Sequence, residues 1–197
     1  MSNIKNVCVF ASSCDYLEKS FYADAAKLGE LLAQNNMNMV YGGSSLGMMW
    51  ACASRVKENG GKIYGVMPER LYNMGVSTDE CVELTVTPCM RTRKAKMDEM
   101  SDAVVALAGG FGTLEELSEM IVQKQLGYNS KAIVILNTNG FYNNLLQFFE
   151  DICRQNFAKV DSKGLYYVAQ TPEDAVNYLQ NYQCEFKALT RDDLYTR

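Results

Sequence analysis

Ala103-Val104-Val105-Ala106-Leu107-Ala108-Gly109-Gly110-Phe111-Gly112-Thr113-Leu114-Glu115-Glu116 decides the fold. It opens as an unbroken apolar run and then passes three glycines in four residues. It ends in a helical pattern whose buried stripe is Leu114, Leu117, Met120 and Ile121. A strand without polar alternation is covered on both faces, which in practice means a parallel sheet between helix layers. The glycines mark the turn where that strand gives way to its helix.

The same unit recurs on both sides. Strands are expected over 7–11, 37–41, 63–67, 132–136 and 165–169, with a further possible strand over 81–86. Between them, Leu17, Phe21, Ala25, Leu28 and Leu32 repeat at helical spacing, and helices are expected up to about 59, over 88–100, to about 126, and over 141–155. Thr171-Pro172 reads as an N-cap followed by proline at the first helical position, opening a helix to about Tyr182. Residues 69–88 are less regular. These patterns predict an α/β fold: a single doubly wound, Rossmann-like domain over residues 1–183, with a mainly parallel sheet and helices on both faces. A polar tail over 184–197 follows. Ligands of such folds bind beyond the carboxyl ends of the strands. The loops to inspect are therefore Ala11-Ser12-Ser13, Gly42-Gly43-Ser44-Ser45-Leu46-Gly47 and 108–113.

Composition narrows the chemistry. The chain has 197 residues, 48% hydrophobic and 21% charged, with a net charge of −4 and no histidine. The absence of histidine excludes Ser-His-Asp and Cys-His catalysis and histidine metal ligation. Acid–base work falls to Asp, Glu, Lys, Tyr or Cys. The acidic balance argues against a nucleic-acid partner. The seven cysteines include no CxxC pair, so free, mostly buried thiols in a reducing compartment are expected, with no metal. The opening MSNIKNVCVF lacks the form of a leader peptide, and no apolar run approaches a membrane span. A cytoplasmic protein with no membrane partner is expected.

Two glycine-rich turns opening helices offer unpaired amides and a helix dipole to an anion. Neither fits GxGxxG or GxxxxGK[ST], so a monophosphate suits them better than a dinucleotide or triphosphate. In Met90-Arg91-Thr92-Arg93-Lys94-Ala95-Lys96-Met97, helical geometry puts Arg93 on the stripe of Met97 and Met100, with Lys94 at its flank. An arginine there requires an anion, and Glu116 is a candidate partner. Arg91 and Lys96 point elsewhere. Glu116 borders the buried stripe of its helix, whereas Glu115 and Glu119 lie roughly opposite it. With histidine absent, Glu116 is the natural group to stabilise a cationic sugar or activate water.

Ala108-Gly109-Gly110-Phe111-Gly112-Thr113-Leu114-Glu115-Glu116 resembles the PGGxGTxxE signature of the Lonely Guy (LOG) family of cytokinin-activating phosphoribohydrolases, whose members often carry a lysine decarboxylase label. Residues 90–97 are similar to its RK motif and 42–49 to its GGGxxGLMG turn. Gln125-Leu126-Gly127 and Asn139-Gly140-Phe141-Tyr142 also match. The chain departs at Ala108 for the motif proline, Ser44 for a third glycine, Trp50 for a small residue and Arg91 for a common histidine. Asn129, Ala132 and Val122 replace His, Pro and Thr.

The resemblance implies hydrolysis of the N-glycosidic bond of a nucleoside 5′-monophosphate, AMP or an N6-substituted AMP, by a cofactor-independent homodimer. It places Arg93 and Glu116 in catalytic positions. Lys94, Gly110, Phe111, Gly112, Thr113, Leu114 and Glu115 become substrate contacts, and the loop reading adds Gly43, Ser44 and Ser13. The alternative on this fold is a non-catalytic nucleotide or molybdenum-cofactor carrier.

Overall fold

A computed structural model of the protein describes residues 3–158 and 164–184, so the expected tail over 184–197 lies almost wholly outside the described residues. Seven strands form one sheet: β1 (Asn6–Phe10), β2 (Asn38–Tyr41), β3 (Ile63–Pro68), β4 (Glu83–Thr87), β5 (Ala103–Ala106), β6 (Ala132–Leu136) and β7 (Tyr167–Ala169). Their spatial order is β4-β3-β2-β1-β5-β6-β7, and every pairing is parallel. The connecting helices are α1 (Lys19–Gln34), α2 (Gly47–Glu58), α3 (Glu69–Tyr72), α4 (Met90–Glu99), α5 (Phe111–Gln125), α6 (Asn143–Arg154) and α7 (Pro172–Asn181).

Burial on both faces explains the unalternated strands. Val7 and Val9 of β1 join the core under α1, α2 and α7, while Cys8 and Phe10 join the core under α4, α5 and α6. Strand β6 divides the same way: Val134 and Leu136 on the first face, Ile133 and Ile135 on the second. Side chains of a strand alternate between faces, so both parities must be apolar. Thr171 caps α7 by accepting the Asp174 amide, with Pro172 at the first helical position as expected.

The irregular stretch resolves into the four-residue α3, a loop through Gly75, and β4 as an edge strand. Edge position leaves Val86 of β4 exposed, and Val82 just before the strand is exposed as well, which weakens the strand signal there. Sequence periodicity gave no sign of α3. The cysteines divide more evenly than expected: Cys8, Cys52 and Cys153 are buried, whereas Cys14, Cys89 and Cys184 are exposed. No helix among the described residues is long and apolar enough to cross a membrane.

The order has a consequence for ligands. From β1 the chain winds outward through β2, β3 and β4, then returns to β5 on the other side of β1. The loops after β1 and β5 therefore part in opposite directions, and a crevice opens between them.

Helices α1 and α2 pack closely at Gly29, where a Cβ would lie 2.2 Å from the Cys52 carbonyl oxygen. Gly29→Ala should thus destabilise the protein. The gain in helix propensity is at most about 1 kcal/mol, whereas forcing two helix backbones apart costs about 1–3 kcal/mol. Urea unfolding should show a lower midpoint with an unchanged slope.

Candidate active site

Residue types place Arg93 and Glu116 on two different helices, and the sheet brings them together. Arg93 projects from the first turn of α4 across the end of β3. Its Nε donates to the Val66 carbonyl at 3.1 Å, and its Nη1 donates to Glu116 Oε1 at 2.6 Å. Both side chains are about nine-tenths buried. A Cβ on Gly42 would sit 2.7 Å from Arg93 Nη2, so the turn after β2 must carry glycine for the guanidinium to lie where it does. Burial pushes the Glu116 carboxyl above the usual carboxylate range, and the Arg93 charge and hydrogen bond pull against that. Arg93 takes one carboxylate oxygen and leaves Oε2 without a hydrogen bond among the described residues.

The pair faces a cleft of about 440 Å³ at the carboxyl ends of the strands. Ser12, Ser13, Gly42, Ser44, Gly110, Gly112 and Thr113 line it with Arg93 and Glu116. At one end α5 begins, and its first intrahelical bond is donated by Leu114 to Gly110. The amides of Phe111, Gly112 and Thr113 precede that bond and meet no acceptor among the described residues. Gly109 lets the Thr113 hydroxyl fold back over this turn, since a Cβ there would overlap it at 2.1 Å. Tyr142 braces the turn from beneath by donating to the Leu107 carbonyl at 2.7 Å.

The second glycine turn differs from the anion cradle expected of it. Asp15 Oδ1 accepts the Gly47 amide at 2.8 Å, the Ser12 carbonyl accepts the Met49 amide, and Ser44 Oγ accepts the Leu46 amide. Most of that helix entry is satisfied within the protein, and the open anion position is the start of α5. Gly43, with φ +72°, lies packed against Gly65 and the Leu84 side chain behind the cleft wall rather than on it.

The remaining expected contacts divide. Phe111 is 92% exposed at the rim. Leu114 and Glu115 do not line the cleft, and neither does Lys94, which pairs with Glu115 and Glu119 across α4 and α5. Those two glutamates are therefore not simply solvent-facing. Arg91 is exposed and Lys96 pairs with Glu99, as the helical wheel implied.

Sequence reasoning gave no role to Met67, Leu71 and Val76, which with Leu46, Met49 and Met90 supply apolar lining of the cleft; Met49 Sδ and Arg93 Nη2 both border Gly42. Leu71 and Val76 come from the stretch around α3. Hydrogen bonds from Ser45 to the Val76 carbonyl and from Thr78 to the Gly43 carbonyl tie it to the glycine turn. No local periodicity announces such a strap.

Comparison with known proteins gives the chain's relatives. Residues 49–179 match the family described as "Possible lysine decarboxylase". The chain is 37% identical over 182 residues to the rice (Oryza sativa subsp. japonica) protein named "Probable cytokinin riboside 5'-monophosphate phosphoribohydrolase LOGL2", covering 92% of this chain and 74% of that one. It is 34% identical over 189 residues to the Arabidopsis thaliana "Cytokinin riboside 5'-monophosphate phosphoribohydrolase LOG7", covering 96% and 87%. Among solved structures it is similar to the Moco carrier protein of Chlamydomonas reinhardtii, with a TM-score of 0.70 at 24% identity over 89% of this chain and 95% of that one, which is a likeness of fold.

The Arg93–Glu116 pair has a measurable signature. Arg93→Gln leaves a buried carboxylate uncompensated and should destabilise the protein by about 3–5 kcal/mol at neutral pH. It should also drive the Glu116 carboxyl further upward, visible by carbon-13 NMR titration. A carboxyl whose folded value lies above its unfolded one binds its proton more tightly when folded, so the deficit should shrink as pH falls through that raised value. Arg93→Gln combined with Glu116→Gln should recover most of the loss at neutral pH.

Proposed function

The chain belongs to the LOG family of phosphoribohydrolases, whose family profile carries the lysine decarboxylase description, and we propose that it hydrolyses the N-glycosidic bond of AMP or an N6-substituted AMP. The observation that carries this reading is the buried Glu116 carboxylate, held by Arg93 in the same cleft as the open amides of α5. The 5′-phosphate lies on the amides of Phe111, Gly112 and Thr113 and on the Thr113 hydroxyl, where the helix dipole favours an anion. Ribose then lies along the cleft with C1′ toward Glu116, and the base packs on the apolar part of its lining. As the C1′–N bond breaks, positive charge develops on the sugar and the carboxylate stabilises it. Water adds at C1′, giving ribose 5-phosphate and free base. Arg93 fixes Glu116 through one oxygen, so the other is set in place before substrate arrives.

No lysine lines the cleft among the described residues, so a decarboxylase forming a lysine Schiff base has no amine there. A carrier of a phosphorylated cofactor would use the α5 amides. It has no evident need for a buried carboxylate beside them.

The protein acts as a homodimer in this reading. The support is an apolar face on α5 and α6, where Val122, Leu126 and Phe148 are exposed beside a groove of about 320 Å³. Light scattering should give twice the chain mass, and Phe148→Asp should lower it.

Base-release assays test the reaction directly. AMP or an N6-substituted AMP should turn over, and the matching nucleoside should be about a hundredfold poorer in kcat/KM, because it forfeits the charge-assisted contacts to α5. Glu116→Gln should reduce kcat at least about a hundredfold with the fold intact. Arg93→Lys lacks the planar fork and should lose about 10- to 150-fold. Equal rates for nucleotide and nucleoside would rule out the α5 phosphate site.

A further inference from the structure

The ionisable side chains lining the cleft are two, Arg93 and Glu116, among the described residues. The rest of its polar lining is hydroxyl and backbone. Release of a neutral purine needs a proton on the departing base, or the base leaves as an anion. Arginine does not give up its proton in a protein. Glu116 is committed to the guanidinium 2.6 Å away and, in the reading above, to the sugar cation. One carboxyl cannot be both the proton donor to the base and the anion facing C1′. The cleft thus stabilises the sugar half of the transition state and lacks an acid for the other half.

A base that is already cationic removes this requirement. Resting on the phosphoribohydrolase reading, we propose that the protein also cleaves nucleoside 5′-monophosphates whose base carries a permanent positive charge, N-ribosyl pyridinium and ring-methylated purine nucleotides. The C1′–N bond breaks, and its electron pair goes to the ring nitrogen and cancels the ring's charge. C1′ becomes cationic, water adds to it, and the water's proton passes to solvent. The products are ribose 5-phosphate, a neutral base and one proton, with no oxidant, reductant or second substrate.

Charge placement in the cleft favours this reaction over binding alone. In the ground state the positive ring lies against Leu46, Met49, Met67, Leu71, Val76 and Met90, which offer it no counter-charge, and Met49 adjoins the like-charged Arg93 guanidinium. In the transition state that charge has moved to the sugar beside the Glu116 carboxylate. The ring left behind is neutral, and thioethers and alkyl groups pack well on a flat neutral ring. The interaction strengthens as the bond breaks, and that difference accelerates a reaction. Adenine nucleotides use the same part of the cleft but take their proton from water.

The test compares nicotinamide mononucleotide with AMP, and 7-methyl-GMP with GMP, by base release corrected for spontaneous loss. Both cationic substrates should be hydrolysed, with 7-methyl-GMP about tenfold or more above GMP in kcat/KM, and Glu116→Gln should abolish all of it. The ratio of AMP to nicotinamide mononucleotide turnover cancels the titration of Glu116, which both substrates share. It should fall as pH rises from about 6 to about 9, by up to about tenfold per unit, because solvent protonation limits AMP alone. A flat ratio would mean that the protein supplies the proton, and would overturn the proposal. So would release of adenine from AMP with neither cationic nucleotide cleaved. If none of the four released base while an N6-substituted AMP did, this proposal would fall and the phosphoribohydrolase reading would stand; if that nucleotide were inert as well, both would fail.

Discussion

A buried arginine beside a buried glutamate constrains almost everything around the cleft. Neither charge tolerates the low-dielectric interior alone, so α4 and α5 must present Arg93 and Glu116 to one another. The pairing imposes further conditions. The Val66 carbonyl at the end of β3 must take the Nε proton, and residue 42 must lack a side chain because Nη2 occupies that space. A helix, a strand end and a glycine turn, distant in sequence, are thereby held in register by one planar group. Lysine, with a compact charge and no fork, could not join three such elements in this way.

Function follows from where that pair sits. The doubly wound order reverses beside β1, so the loops after β1 and β5 separate and the start of α5 lies open in the gap. The same helix supplies the free amides at its first residues and the carboxylate about one turn later. Open amides and a buried carboxylate are therefore held on a single rigid element. The start of α2 lies on the same sheet edge but is occupied from within: Asp15 and Ser12 satisfy the amides a ligand would need. One open helix entry and one buried ion pair remain in the cleft, with apolar side chains beside them.

That apolar lining is built from parts with little in common locally. Met90 begins α4, Met67 ends β3, Leu46 and Met49 flank the entry to α2, and Leu71 and Val76 belong to the strap around α3. Their shared property is apolar character alone. A surface of this kind offers packing and no titratable side chain.

Much was legible in the chain itself. The unalternated strands, the helical stripes and the glycine turns determine a doubly wound sheet, because each is a local requirement of backbone geometry and two-sided burial. Arg93 and Glu116 were legible for a related reason: a charge on an apolar stripe is a conflict visible without coordinates, and it demands an opposite charge elsewhere. Tertiary structure decided what lies between distant segments. It set Gly42 at the guanidinium and Gly43 behind the cleft wall, filled the α2 entry with Asp15, engaged Lys94 with two glutamates, and brought Leu71 and Val76 to the cleft lining. None of these has a periodic signature, because each depends on which atoms of remote loops happen to approach, and packing of the whole sheet sets those distances.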